Sequence, residues 1–206
     1  MKVKICGITN VEDALLCQNL GADALGFIFY KGSKRYVEPS KVSDIIKSLS
    51  PFIMKVGVFV DDIPEEINRI ATQCGLNAVQ LHIEGTDDYH YKINVPVIKA
   101  FRVNKDFNFS ILEKLNTGYL LLDSYSKEAY GGTGEKFNWE IIPQKLKQRI
   151  ILAGGISVEN IDEIFCSVKP AAIDLSSSLE IEPGKKSADK VKMFFNRLNI
   201  LKGNQC

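Results

Sequence analysis

Residues 2–29 read KVKICGITNVEDALLCQNLGADALGFIF. Two short apolar runs, KVKIC at 2–6 and ALGFIF at 24–29, flank a stretch with the marks of a helix. Asn10 is a good N-cap, Glu12 and Asp13 put acids in the first turn, and Gly21 ends the pattern. The unit is strand, helix, strand, and a parallel crossover needs about this much chain.

The unit recurs. Further runs are KVGVFV (55–60), AVQL (78–81), PVIKAF (96–101), YLLLD (119–123), IILAGG (150–155) and AAIDLS (171–176). Their starts lie roughly 20–30 residues apart, the length of a strand plus a helix. IPEEINRIATQCG (63–75) has Pro64 near its start and Gly75 at its end, and SVENIDEIFCSV (157–168) and KSADKVKMFFNRLNIL (186–201) follow the last two runs. The stretch TDDYHYKI (86–93) is a short, polar fourth helix. Eight strand–helix units predict an α/β fold, a closed and minimal (β/α)8 TIM barrel spanning residues 1–206 as one domain. An open doubly wound sheet needs fewer units, and no GxGxxG follows the first strand.

Composition narrows the function. The chain has 206 residues, 45% hydrophobic and 25% charged, as a globular enzyme has. A formal net charge of +1 gives no electrostatic reason to expect nucleic acid or an anionic membrane as partner. No apolar run is long enough to span a bilayer, and Met1-Lys2-Val3-Lys4 alternates instead of forming a signal-peptide block, so a cytoplasmic location is expected. Cys6, Cys17, Cys74, Cys166 and Cys206 are scattered, with no Cys-x-x-Cys, which argues against a disulfide framework and a structural zinc site. With His82 and His90 as the only histidines and no HExxH spacing, a His-based metal centre is not expected either. The oligomeric state stays open between monomer and homodimer.

Barrels of this type place chemistry at the carboxyl ends of their strands. Strand one ends at Cys6, strand six at Asp123, strand seven runs into Gly154-Gly155 and strand eight into Ser176-Ser177-Ser178. Ring order sets Cys6 and Asp123 facing each other, with the Gly/Ser loops on the rim between them. Those loops, with a helix beginning near Ser157, are expected to cradle a phosphate. The loop after strand two carries Lys34 and Arg35, and a guanidinium there matches a carboxylate. Each residue has a plainer reading: Cys6 as packing, Asp123 as a turn residue, Arg35 as a solvated charge, the glycines as a tight turn. A phosphorylated small molecule is the partner that would use all of them together.

Strand parity adds a prediction. Lys4 shares a face with Cys6, and Asp174 shares a face with Ser176 on the adjoining strand. A buried ammonium needs a partner, so a Lys4–Asp174 ion pair is expected inside the barrel, either purely structural or also favouring the Cys6 thiolate. His82 has the parity of Gln80 and is expected as a polar wall residue in the pocket floor; His90 reads as surface.

Taken in order, KICGIT, GFIFYKGSKRYV, VGVFVDD, AVQLH, LLDSYS, YGGTG, LAGGI and DLSSSLE…PGKK resemble the phosphoribosylanthranilate isomerase family nearly end to end. The resemblance implies an Amadori rearrangement in tryptophan biosynthesis, without cofactor or metal. By position it implies Cys6 as general base, Asp123 as general acid, and Arg35 on the anthranilate carboxylate. It also implies phosphate binding by Gly154, Gly155 and Ser176–Ser178. Three positions depart from the usual family pattern: Ile83 after QLH, Glu135 before Lys136 in the GGTG loop, and Ser178 in place of a glycine. The last two are expected to weaken the phosphate site or move a contact to Lys136. The loop from Tyr125 to Phe137 is expected to fold over bound substrate. Two rival readings are a related barrel acting on an indole- or histidine-pathway sugar phosphate, and a binding protein that keeps only the cradle. The Cys/Asp pairing disfavours the first, since those enzymes pair Lys with Glu or two Asp.

Overall fold

The computed structural model describes residues 1–82, 91–113, 115, 120–124 and 138–204. The barrel strands are β1 (Lys2–Cys6), β2 (Ala24–Ile28), β3 (Met54–Phe59), β4 (Ala78–His82), β5 (Val97–Val103), β6 (Leu120–Ser124), β7 (Ile150–Leu152) and β8 (Ala172–Leu175). All pair in parallel in chain order, and β1 with β8 closes the ring in the register Lys4↔Asp174. The helices are α1 (Val11–Leu20), α2 (Pro39–Lys47), α3 (Pro64–Cys74), α4 (Ser110–Glu113), α5 (Ile161–Glu163) and α6 (Ala188–Asn204).

The first unit forms as its sequence dictates. Asn10 accepts the Asp13 N–H at 2.8 Å, a cap of about 1 kcal/mol. Gly21 closes α1 at φ 107, a conformation that costs a residue with a Cβ. Pro64 opens α3 and Gly75 closes it, again in the left-handed region. Among the described residues, no helix is long and apolar enough to cross a membrane.

The strands sort their side chains by parity. Ile5, Leu25, Phe27, Leu81, Leu122, Leu152 and Ile173 belong to the large core shared with the helices. The alternate positions fill the barrel interior. Ala100, Leu121, Ile151 and Ala153 make a small apolar wall on β5 to β7 and the residue after β7. Lys4, Gln80 and Asp174, from β1, β4 and β8, make a polar floor.

Two features differ from expectation. The helix after β7 begins at Ile161, not near Ser157. Asn160 accepts the Ser157 N–H and donates to the Gly155 carbonyl, so residues 158–160 close as a turn and the helix starts a turn later. Three α-helical residues then pass into a π-helical turn, Ile164–Val168. The second feature is a hairpin between β8 and α6, β9 (Glu180–Glu182) with β10 (Lys185–Lys186), turned at Pro183-Gly184. Between β6 and β7 the described residues form short 3-10 turns, Trp139–Ile141 and Gln144–Arg149. The expected fourth helix, save for Tyr91–Ile93, and His90, Ile83, Glu135, Lys136, Cys206 and the loop 125–137 lie outside the described residues.

Candidate active site

Cys6 ends β1 with its side chain buried in the barrel mouth. Its sulfur lies over Gly26 of β2, where a Cβ would come within 2.7 Å of Sγ and 3.1 Å of both Cys6 Cα and Lys4 Cε. One layer below, Lys4 Nζ meets Asp174 Oδ2 at 2.7 Å, with both side chains almost wholly buried. The pair expected from strand parity therefore forms. Burial works against the Lys4 ammonium, but Asp174 and the Cys6 sulfur outweigh it and hold the lysine above its ordinary pKa. At Cys6 burial dominates: it pushes the thiol up, and Lys4 with Lys186 pull it only part of the way back. The net direction at Cys6 is upward, so the thiol is the resting form. Gly26→Ala is expected to displace Cys6 and cost about 1–3 kcal/mol through overpacking. Chemical denaturation checks this, and a loss below about 0.5 kcal/mol would mean that β2 can yield.

Asp123, on β6, is buried, and burial pushes its carboxyl up to about 6, helped by the Asp174 charge. The Ser124 N–H, Arg102 and Lys4 act in the other direction. Gly154 packs against it at φ 82: a Cβ there would collide with the Ser124 hydroxyl and stand 2.8 Å from Asp123 Oδ1. Glycine is needed both for the backbone angle and for the close approach. Gly155 also has a positive φ of 66, so two successive residues turn the chain over the mouth.

The serines after β8 are not equivalent. Ser176 donates its hydroxyl to the Cys6 carbonyl at 3.2 Å, tying β8 to the end of β1. Ser177–Leu179 form a 3-10 turn, and the Ser178 hydroxyl is buried without a hydrogen-bond partner among the described residues. A buried, unsatisfied hydroxyl at a cavity wall is costly unless a ligand completes it.

Arg35 reaches the cavity past Gly7, where a Cβ would meet its Cδ at 2.6 Å. Its guanidinium is held by Glu180: Nε and Nη2 donate to the carboxylate at 2.7–3.0 Å, leaving Nη1 outside that pair. Sequence reasoning missed Glu180 and Lys186, both buried in the hairpin. Lys186 Nζ donates to the Cys6 carbonyl at 2.7 Å and to Glu180 Oε1 at 2.9 Å, and its backbone N–H donates to Asp13. The only sequence signal was the charge-rich LE…PGKK stretch, which resembles surface chain until the hairpin folds it inward. The hairpin thereby fixes the strand end that carries Cys6 and the side chain of Arg35.

His82 ends β4 beside Gln80. Cys6, Arg35, His82, Asp123, Gly154, Gly155, Asp174 and Ser176–Ser178 all line one cavity of about 310 Å³, a size suited to one small ligand. A buried carboxyl that holds its proton near pH 6 and a buried thiol within one cavity can move protons to and from a ligand anchored at the rim.

A family model described as N-(5'phosphoribosyl)anthranilate (PRA) isomerase matches residues 3–197. An N-(5'-phosphoribosyl)anthranilate isomerase of Trichlorobacter lovleyi is 47% identical over 196 residues, covering 94% of this chain and 96% of that protein. The solved phosphoribosyl anthranilate isomerase of Thermus thermophilus is similar with a TM-score of 0.89 and 40% identity, over 98% of this chain and 100% of that one. Another solved phosphoribosyl anthranilate isomerase is in complex with reduced 1-(o-carboxyphenylamino)-1-deoxyribulose 5-phosphate. It is similar with a TM-score of 0.85 and 40% identity, over 98% of this chain and 100% of that one.

Proposed function

The chain belongs to the N-(5'-phosphoribosyl)anthranilate isomerase family, and on that premise we propose that its barrel mouth isomerises this sugar phosphate, with Asp123 as general acid and Cys6 as general base. The substrate is N-(5-phosphoribosyl)anthranilate and the product 1-(2-carboxyphenylamino)-1-deoxyribulose 5-phosphate. The observation that carries the reading is that the buried carboxyl, the buried thiol and the Gly/Ser rim line a single cavity.

The chemistry needs two proton movements. Protonated Asp123 gives its proton to the furanose ring oxygen as the C1–O bond breaks, and the nitrogen lone pair forms an iminium at C1. The Cys6 thiolate then takes the proton from C2. The C–H electrons form the C1=C2 bond, and the iminium electrons return to nitrogen. The resulting enol becomes the ketone as C1 gains a proton and the enol oxygen loses one. The cationic iminium acidifies C2, so a modest base suffices. Gly154, Gly155 and the serines after β8 take the phosphate, and Arg35 faces the carboxylate with Nη1. Asp174 keeps Lys4 charged beneath the thiol.

Loss of the anthranilate-type fluorescence of phosphoribosylanthranilate on adding the protein tests the reading; binding without turnover would sink it. The pH profile gives a finer check. The productive form carries a proton on Asp123 and none on Cys6, the reverse of the form that predominates at neutral pH. The product of those two fractions is constant between the two pKa values. Thus kcat/KM is expected to climb with pH up to about 6, stay level through neutrality, and fall only above the raised thiol value. A steady decline through the neutral range would contradict the assignment.

A further inference from the structure

The polar floor of the barrel has a hydrogen-bond direction. Lys4 Nζ lies 3.0 Å from the Gln80 amide oxygen, Oε1. An ammonium only donates, so the carbonyl end of the amide must face it. The Gln80 nitrogen then faces outward, 2.9 Å from His82 Nε2. An amide nitrogen also only donates, so Nε2 must be the accepting, unprotonated ring nitrogen. The one proton of a neutral imidazole then sits on Nδ1. That atom is buried and has no hydrogen-bond partner among the described residues.

We propose that Lys4 and Gln80 are positioning residues that fix His82 as its Nδ1–H tautomer, and that this N–H donates to an oxygen acceptor of the bound substrate. The proposal rests on the function given above for the choice of acceptor. In the ring β4 stands opposite β8. With the phosphate at the β7–β8 rim, His82 faces the other end of the substrate, and the acceptor there is the aryl carboxylate. Burial drives the His82 pKa down to about 4, with Lys4 and Arg102 adding repulsion, so the ring stays neutral at physiological pH. His82 is thus a fixed neutral donor that supplements the cationic Arg35. The ligand supplies the partner that the described residues of the free protein do not give Nδ1.

Nitrogen-15 labelling of histidine reads the tautomer directly, and with only two histidines in the chain a His90→Gln variant assigns the signals. Near neutral pH the wild-type protein is expected to show His82 protonated at Nδ1 and bare at Nε2. Saturation with reduced 1-(o-carboxyphenylamino)-1-deoxyribulose 5-phosphate is expected to shift the Nδ1–H signal, whereas inorganic phosphate leaves it in place. In Gln80→Glu the carboxylate accepts on both sides, so the ring proton moves to Nε2 and KM rises about tenfold, with a smaller change in kcat. A proton on Nε2 in the wild type, an imidazolium, or an Nδ1–H signal unmoved by the product analogue would overturn the proposal. Absence of turnover would count instead against the function itself, because the tautomer is read in the free protein.

Discussion

Asp123→Asn is expected to slow turnover severely and, at neutral pH, to leave the protein more stable than the parent. Both effects come from one cause. The folded chain raises the Asp123 carboxyl to about 6 by burying it near Asp174, whereas the unfolded chain leaves it near the ordinary value. Between those two values the folded state binds the extra proton, so stability falls as pH rises through the window. The favourable contribution is complete below the unfolded pKa and gone above about 6. The ionised form is then disfavoured in the fold by about 3 kcal/mol at neutral pH. An amide cannot ionise and escapes that penalty. Urea midpoints at about pH 7.5 and about pH 4 should show the variant ahead at the higher pH and level at the lower. Equal stability at both would mean that burial does not raise the Asp123 carboxyl, and the acid assignment would lose its physical basis.

Lys4→Met carries the second large effect, a loss of about 3–5 kcal/mol from leaving a buried charge without its partner. Among the described residues Asp174 has its Oδ1 buried without a hydrogen bond and its Oδ2 on Lys4 at 2.7 Å, so the lysine is the main compensation for that carboxylate. Adding Asp174→Leu should recover most of the loss, since replacing both ions by apolar groups is often close to neutral. The single variant also separates the two meanings of the pair. Lys4 is the largest opposing influence to burial at the Cys6 thiol, so its removal should raise the thiol pKa, followed by the pH dependence of alkylation. An unchanged thiol would make the ion pair purely structural. Recovery of stability without recovery of the thiol pKa in the double variant would assign both roles.

The ring of strands was legible because its first unit carries its own punctuation. Asn10, the first-turn acids and Gly21 mark one helix, and Pro64 and Gly75 mark another. Parity alone places Lys4 against Asp174, because β1 must adjoin β8 once the ring closes. The start of α5 was misplaced because the Asn160 side chain, not the helix propensity of residues 157–160, decides the local hydrogen bonding. The β9–β10 hairpin was missed because strands of two and three residues are too short to display a period. With it went Glu180 and Lys186. Their charges read as surface in a linear sequence, yet each is buried because the other, Arg35 and the Cys6 carbonyl satisfy it. The carboxylate that Arg35 meets within the protein is therefore a partner that sequence spacing did not announce.

The division of labour between thiol and carboxyl is tested most directly by a deuterium isotope effect at substrate C2, measured in two slow variants. In Cys6→Ser, removal of the C2 hydron should limit the rate, and a primary isotope effect well above unity is expected. In Asp123→Asn, ring opening should limit the rate, and the effect should collapse to unity. The opposite pattern, or equal effects in both, would contradict the assignment of base and acid at the barrel mouth.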